Sequence, residues 1–296
     1  MSSDDKSLNK SWTILETLKW TVDYFKRHGV EHGRPAAEIL LAHCLRCERI
    51  DLYLRYDQPL LADELKRFKA LIQRRVQREP DAYIVGQKEF WSLAFQVTPA
   101  VLIPRPETEC LVEAALHWHP ANDTIQVLEL GTGSGAISVA LAHERSNWRI
   151  RASDISADAL GVARLNARRM LGANRIIFSE GSWFEPFVDQ VGFFDLIISN
   201  PPYIPSKDLD GLAPEVRQFE PATALDGGAD GLSCLGHIIN DAPEYLKPGG
   251  GLILEIGYDQ RSAVEALGHR RGAYQSMKVE KDYCGLDRVA LFHRKH

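Results

Sequence analysis

The sequence predicts an α/β fold, a doubly wound and mostly parallel sheet preceded by a small bundle of helices, and three observations predict it. The first eighty residues repeat apolar side chains at helical spacing, the pattern of amphipathic helices that share a core. From Gln126 onward, short β-rich runs alternate with helical patterns, which argues for right-handed βαβ crossovers. Between the first of these strands and its helix stands a glycine-rich turn, "GTGSG", of the kind that lets backbone approach a ligand at a helix N-terminus.

Taken in order, Ile14, Leu18, Val22 and Phe25 recur on one helical face, and Gly29 stops that helix after His28. Pro35 reads as a first-turn residue before Ala36 to Leu45, and Leu65, Phe68, Leu71, Ile72 and Val76 form another stripe that Pro80 ends. Residues 1–80 are expected as a helical domain. Residues 81–106 alternate Tyr83, Val85, Phe90, Phe95 and Val97 with polar residues before "VLIPRPETE", and read as a hairpin connector. The strands QVLEL, WRIRASD, RIIFSE, FFDLIIS, GLILEI and RVALFH belong to a second large domain over 107–296. Within it, the stretch 204–233 is too long and too rich in turn residues for an ordinary connection; such segments are functional or disordered.

Composition removes several function classes. With 45% hydrophobic and 25% charged residues over 296 positions, the chain can bury a sizeable core. No run reaches the roughly eighteen apolar residues of a membrane span, and the opening MSSDDKSLNK lacks the pattern of an export signal. A cytoplasmic location without a membrane partner is expected. The net charge of −5 supplies no global field for a polyanion, so direct nucleic-acid binding is not expected. Five scattered cysteines fit a reducing compartment. Cys44 and Cys47 form a CxxC beside His43, but structural zinc needs four ligands and the setting is an apolar helix, so buried thiols and no metal are expected.

The chemistry starts at "VLELGTGSGAISVALA", where Gly131, Gly133 and Gly135 are spaced GxGxG, one residue tighter than the dinucleotide fingerprint. The next strand ends on Asp154, twenty-three residues beyond Gly131. A carboxylate there can accept both hydroxyls of an adenosine ribose. It can also cap the following helix, as Ser156 can, and the combined spacing favours the ribose.

The fourth strand runs into "NPPY", Asn200 to Tyr203. Proline cannot continue a ladder, so the strand stops and presents the tetrapeptide at its end. The two N–H groups of a planar NH2 need two acceptors, and Asn200 Oδ1 with the Pro201 carbonyl can supply them. Pro201 and Pro202 bias the residues before them to extended backbone, which preorganises that plane, and Tyr203 can stack on the flat face. No general base is evident beside the tetrapeptide. In-line displacement at a sulfonium methyl has an excellent leaving group, so alignment and desolvation can carry the acceleration. Glycine loop, acid and NPPY together resemble S-adenosylmethionine-dependent methyltransferases acting on planar nitrogens. The motif itself leaves adenine and glutamine open.

The rest of the chain separates them. The helical unit, "AYIVGQKEFWSLAFQVTPAVLIPRPETECLV", "GSWFEPF", "QFEPATALDGGADGL", "LKPGGGLILEIGYDQ" and "KDYCGLDRV" resemble the bacterial release-factor glutamine methyltransferases, the PrmC/HemK family, over nearly the whole chain. The resemblance implies a seven-stranded Rossmann-like methyltransferase domain, S-adenosyl-L-methionine as cofactor with S-adenosyl-L-homocysteine as product, and a monomer. It implies as substrate the glutamine of the Gly-Gly-Gln motif in peptide chain release factors, with the helical unit as docking surface. Gly131, Thr132, Gly133, Ser134, Gly135, Asp154 and Trp183 match the family's cofactor positions, and Asn200 bridges cofactor and substrate. Asn200, Pro201, Pro202 and Tyr203 match its glutamine-binding tetrapeptide. Phe90, Arg105, Glu107 and Glu220 are further candidates, for orienting the methionine end or closing the pocket. Competing readings are a ribosomal-protein glutamine methyltransferase, which would carry a different N-terminal region, an adenine-N6 nucleic-acid methyltransferase, which would need a basic groove, and a non-enzymatic nucleotide-binding adaptor.

Overall fold

A computed structural model describes residues 12–296 as two compact units, one ending at Gly86 and one spanning Gln87–His296. The opening MSSDDKSLNK lies outside the described residues.

The first unit contains α1 (Ile14–Arg27), α2 (Gly33–Leu45), α3 (Arg49–Leu54), α4 (Ala62–Val76) and α5 (Asp81–Val85). A capping box starts α1: Thr13 Oγ1 accepts from the Glu16 amide at 3.3 Å and Glu16 Oε2 accepts from the Thr13 amide at 3.1 Å, which satisfies two donors the helix would otherwise leave open. Ile14, Phe25, Leu40, Leu41, Phe68 and Ile72 meet in one core, each fully buried side chain contributing about 1.5–3 kcal/mol. Cys44 is buried there, and its thiol donates to the Glu64 carbonyl at 3.4 Å. Residues 81–85 depart from the expected hairpin. Pro80 opens a turn of helix and Gly86 closes it with φ 80°, so Tyr83 and Val85 sit on a helix, not a strand.

The second unit opens with the hairpin β1 (Gln87–Phe90) and β2 (Leu93–Gln96), paired from Gln87↔Gln96 to Phe90↔Leu93. Its two turn residues, Trp91 and Ser92, both take positive φ, 53° and 55°, a conformation that usually calls for Asn or Gly. Two carboxylates hold the turn: Glu109 accepts from the Trp91 amide at 2.7 Å and Glu144 from its indole N–H at 2.9 Å.

Next along the chain come α6 (Glu109–Trp118), β3 (Gln126–Leu130), α7 (Ala136–Glu144), β4 (Arg149–Asp154), α8 (Ala157–Leu171), β5 (Ile176–Glu180), β6 (Phe194–Ser199), α9 (Pro214–Phe219), α10 (Ser233–Tyr245), β7 (Leu246–Glu255), α11 (Arg261–Arg271), β8 (Tyr274–Lys281) and β9 (Asp287–Arg294). The seven strands lie in the order β5-β4-β3-β6-β7-β9-β8. The five from β5 to β7 are parallel and β9 runs antiparallel to both its neighbours.

Successive residues of one strand serve opposite cores, as a sheet covered on both faces requires. Val127, Leu196, Ile198 and Ile253 join one cluster, whereas Leu128, Ile197, Leu252 and Leu254 join the other. Chain order reverses at β3, whose neighbours are β4 and β6; the crevice beyond the C-terminal ends of these strands is where open α/β sheets bind ligands. Among the described residues no helix is long and apolar enough to cross a membrane.

Candidate active site

A cavity of about 640 Å³ opens at that crevice, lined among others by Gly131, Thr132, Gly133, Ser134, Asp154, Trp183, Asn200 and Pro202, a size suited to a small-molecule ligand. Its floor is the turn between β3 and α7. Gly131, Gly133 and Gly135 all take positive φ, and a Cβ on Gly133 would project into open space, so the backbone there faces the cavity bare. Gly135 does not line the cavity; it packs on Ala163 of α8.

Asp154 does two things. Its Oδ2 accepts from the Gly133 amide at 2.8 Å and its Oδ1 from the Ser156 amide at 2.9 Å, so the acid at the cavity rim also shapes the glycine turn. Trp183 stands opposite, with φ 46°, a strained backbone for a bulky residue. Its ring lies 3.9 Å from where a Gly131 side chain would begin.

Two residues outside the sequence motifs' assigned positions support this floor. Glu129 is 1% exposed and accepts from Thr132 Oγ1 at 2.6 Å, from the Ser138 amide at 3.2 Å and from Ser138 Oγ. Burial pushes its carboxyl up to about 7, against the pull of those hydrogen bonds. Asn166, fully buried on α8, donates to the Ser134 carbonyl at 2.9 Å and the Gln96 carbonyl at 3.0 Å, and accepts from the Gln96 amide at 2.8 Å.

On the other side of the crevice β6 delivers NPPY. Ser199 Oγ donates to the Leu130 carbonyl at 2.7 Å and so ties the ends of β6 and β3 together. Asn200 Nδ2 donates to Thr108 Oγ1 at 3.1 Å; among the described residues nothing donates to its Oδ1. Pro201 is buried and does not line the cavity, whereas Pro202 does. Tyr203, expected as a wall, is not a lining residue either: its hydroxyl turns inward and donates to Glu255 Oε1 at 3.1 Å. Gln260 Nε2 holds the Tyr203 carbonyl at 3.0 Å.

The remaining candidates divide. Arg105 lines the cavity and pairs at 2.6 Å with Glu220, which is buried behind it and also accepts from the Ile103 amide at 3.1 Å. Glu107 lies on the short turn Pro106–Thr108, outside the lining. Phe90 is 1% exposed, edge-on to Phe95 with ring centroids 5.9 Å apart; its apolar ring belongs to the core and not to the cavity.

The stretch 204–233 forms one wall, with Pro221, Ala222, Thr223, Ala224 and Asp226 lining the cavity. It is clamped to NPPY through Ile204, whose amide donates to the Leu225 carbonyl at 3.1 Å and whose carbonyl accepts from Gly227 at 2.8 Å. A Cβ on Gly227 would meet Tyr203 Cα at 2.8 Å and the Pro202 and Gly231 carbonyls at 2.9 Å, all backbone. Gly227→Ala is expected to displace NPPY, costing about 1–3 kcal/mol of stability by overpacking and slowing turnover. Urea unfolding and a rate assay on the same variant check both.

Comparison with known proteins agrees with this layout. Residues 16–86 match the family model of a PrmC N-terminal domain and residues 121–282 that of a methyltransferase domain. The release factor glutamine methyltransferase of Geobacter sulfurreducens is 46% identical over 278 residues, covering 94% of this chain and 95% of that protein. That of Rhodopirellula baltica is 37% identical over 290 residues, covering 96% and 97%. A crystal structure of a methyltransferase from Pyrococcus furiosus shares the fold, with a TM-score of 0.51 at 20% identity over 77% of this chain and 98% of that one.

Proposed function

The chain belongs to the release factor glutamine methyltransferases, and from that membership we propose that it methylates the side-chain amide nitrogen of the glutamine in the Gly-Gly-Gln motif of peptide chain release factors, using S-adenosyl-L-methionine. The observation that carries the reading is the meeting, in one cavity, of a bare glycine turn with Asp154 and of an Asn200 amide whose Nδ2 is already engaged. The cavity fits this cofactor. Gly133 leaves room against the backbone, Asp154 offers carboxylate oxygens at the rim for a ribose, Trp183 offers an aromatic face for the base, and the buried Glu129 suits a ligand bearing positive charge.

The cofactor supplies an electrophilic methyl on a sulfonium that leaves as a neutral thioether. The amide is a reluctant nucleophile, because its lone pair is tied into the resonance behind a rotation barrier of about 18–20 kcal/mol. Asn200 Oδ1, which faces the cavity without a donor among the described residues, takes one of its N–H groups, and Pro201 and Pro202 keep that acceptor rigid. Orientation and exclusion of water lower the barrier as the nitrogen bonds the methyl carbon and the carbon–sulfur bond breaks; the methylated nitrogen is then strongly acidic and loses its extra proton to solvent. Arg105, fixed by Glu220, presents a cation at the cavity's edge for a carboxylate of the cofactor. A substrate that acts on the ribosome puts the reaction in the cytoplasm.

Two glycines offer no side chains to grip, so most recognition energy must come from the folded substrate, and the helical unit is read as the docking surface. A short Gly-Gly-Gln peptide is accordingly expected to show kcat/KM at least about tenfold below that of intact release factor. The identity test offers tritiated cofactor to release factor, its Gln-to-Ala variant, ribosomal protein and DNA. Label should enter the first only; label on DNA or ribosomal protein alone overturns the reading.

A further inference from the structure

A hydroxyl group has one proton to give, and Thr108 gives its proton to Glu255 Oε2 at 2.7 Å. Glu255, at the end of β7, is 2% exposed, and its other oxygen accepts from the Tyr203 hydroxyl. With its proton committed, Thr108 Oγ1 can only accept. The group facing it across 3.1 Å is therefore the NH2 end of Asn200, and the carbonyl end is left for the cavity. The direction of every hydrogen bond in the row Glu255, Thr108, Asn200 is set by the carboxylate at its start.

We propose that Glu255 and Thr108 are positioning residues that fix which end of the Asn200 amide meets the substrate. The inference rests on the reading of Asn200 as acceptor for the glutamine NH2. An Asn200 side chain turned by 180° would set NH2 against NH2, donor against donor, and could not hold the amide. Nothing in the Asn side chain itself prefers one orientation, since its two ends are nearly the same shape. The choice has to come from the neighbour.

Protonation of Glu255 on Oε2 reverses the row: the carboxylic acid then donates to Thr108, whose own proton is free to point at Asn200. Burial raises this carboxyl above its ordinary value, while the Thr108 and Tyr203 hydrogen bonds and the Arg288 charge oppose the rise and Glu107 adds to it. Arg288 lies 3.5 Å from the Tyr203 hydroxyl and is itself paired with Asp282 at 3.2 Å; Cys110 also feels the Glu255 charge. Methyl transfer should therefore fall on the acid side through a group that touches neither reactant.

The test uses the full-length protein and intact release factor, with single-turnover transfer measured across pH and with affinities for S-adenosylhomocysteine and for release factor measured separately. Thr108→Val keeps shape and loses the hydroxyl; transfer should slow about tenfold or more while both affinities stay within about threefold. Thr108→Ser should recover most of the rate. Glu255→Gln has no carboxyl to protonate and should erase the acid limb. Transfer by Thr108→Val within about twofold of the parent, Thr108→Ser no faster than Thr108→Val, or an acid limb that persists in Glu255→Gln overturns the proposal. If the parent protein does not label release factor, the assigned substrate is wrong and the inference falls with it. If the parent labels it and Thr108→Val labels it as fast, the substrate stands and only the positioning role falls.

Discussion

Asn200→Ala is expected to slow single-turnover methyl transfer by about 10²–10³-fold, the loss typical when one preorganised hydrogen-bonding group is removed from a reacting centre. Cofactor affinity should change by less than about tenfold, because the glycine turn, Asp154 and Trp183 remain on their own elements. The split matters more than the size. A residue that only shaped the cavity would lose both in proportion, whereas an acceptor for the substrate amide loses the transfer step. Rapid-quench transfer of a labelled methyl group, with calorimetric titration of the cofactor, separates the two. Near-normal transfer would remove Asn200 from the chemistry.

The second large effect is expected at Asp154, in binding. Asp154→Ala removes the carboxylate assigned to the ribose and also strands the Gly133 and Ser156 amides that it now accepts from. Hydrogen bonds to a charged group are worth about 1.5–3 kcal/mol each, so dissociation constants for S-adenosylmethionine and S-adenosylhomocysteine should both rise about a hundredfold. Asp154→Asn keeps one acceptor oxygen and should fall between. At saturating cofactor the transfer step itself should be close to that of the parent, the reverse of the pattern at Asn200. An unchanged dissociation constant for Asp154→Ala would show that the acid serves the turn and the helix alone.

The features legible in the sequence are those that local chemistry dictates. Strands buried on both faces must be mostly apolar, so QVLEL, FFDLIIS and GLILEI announce themselves. A turn that needs positive φ at three places writes itself in glycine. β8 leaves no such mark because it is an edge strand, YQSMKVEK, exposed along much of its length and so polar in composition. α3 and α5, with six and five residues, are too short to show a period and owe their form to packing.

The site divides along the same line. Asp154, Asn200 and the glycines sit in contiguous motifs at strand ends, but Glu255, Thr108, Gln260 and Asn166 act across gaps of 52 to 147 residues. No periodicity encodes such partnerships. Their one sequence signal is a polar residue inside an otherwise apolar run, as with Glu129 in VLEL and Glu255 in LILEI, which has to find a partner when buried. Phe90 shows the converse: an aromatic residue beside a turn reads equally as a stacking surface or as core, and here it fills the core.

The Asn166 side chain uses both amide hydrogens and its carbonyl at once, fastening Gln96 of the hairpin to Ser134 of the glycine turn from a position on α8. Three segments far apart in the chain thereby share a single rivet. The hairpin, which reads in sequence as a connector, is in mechanical terms the stiffening rib of the cavity floor, and a motion that lifted it would have to tear the floor as well.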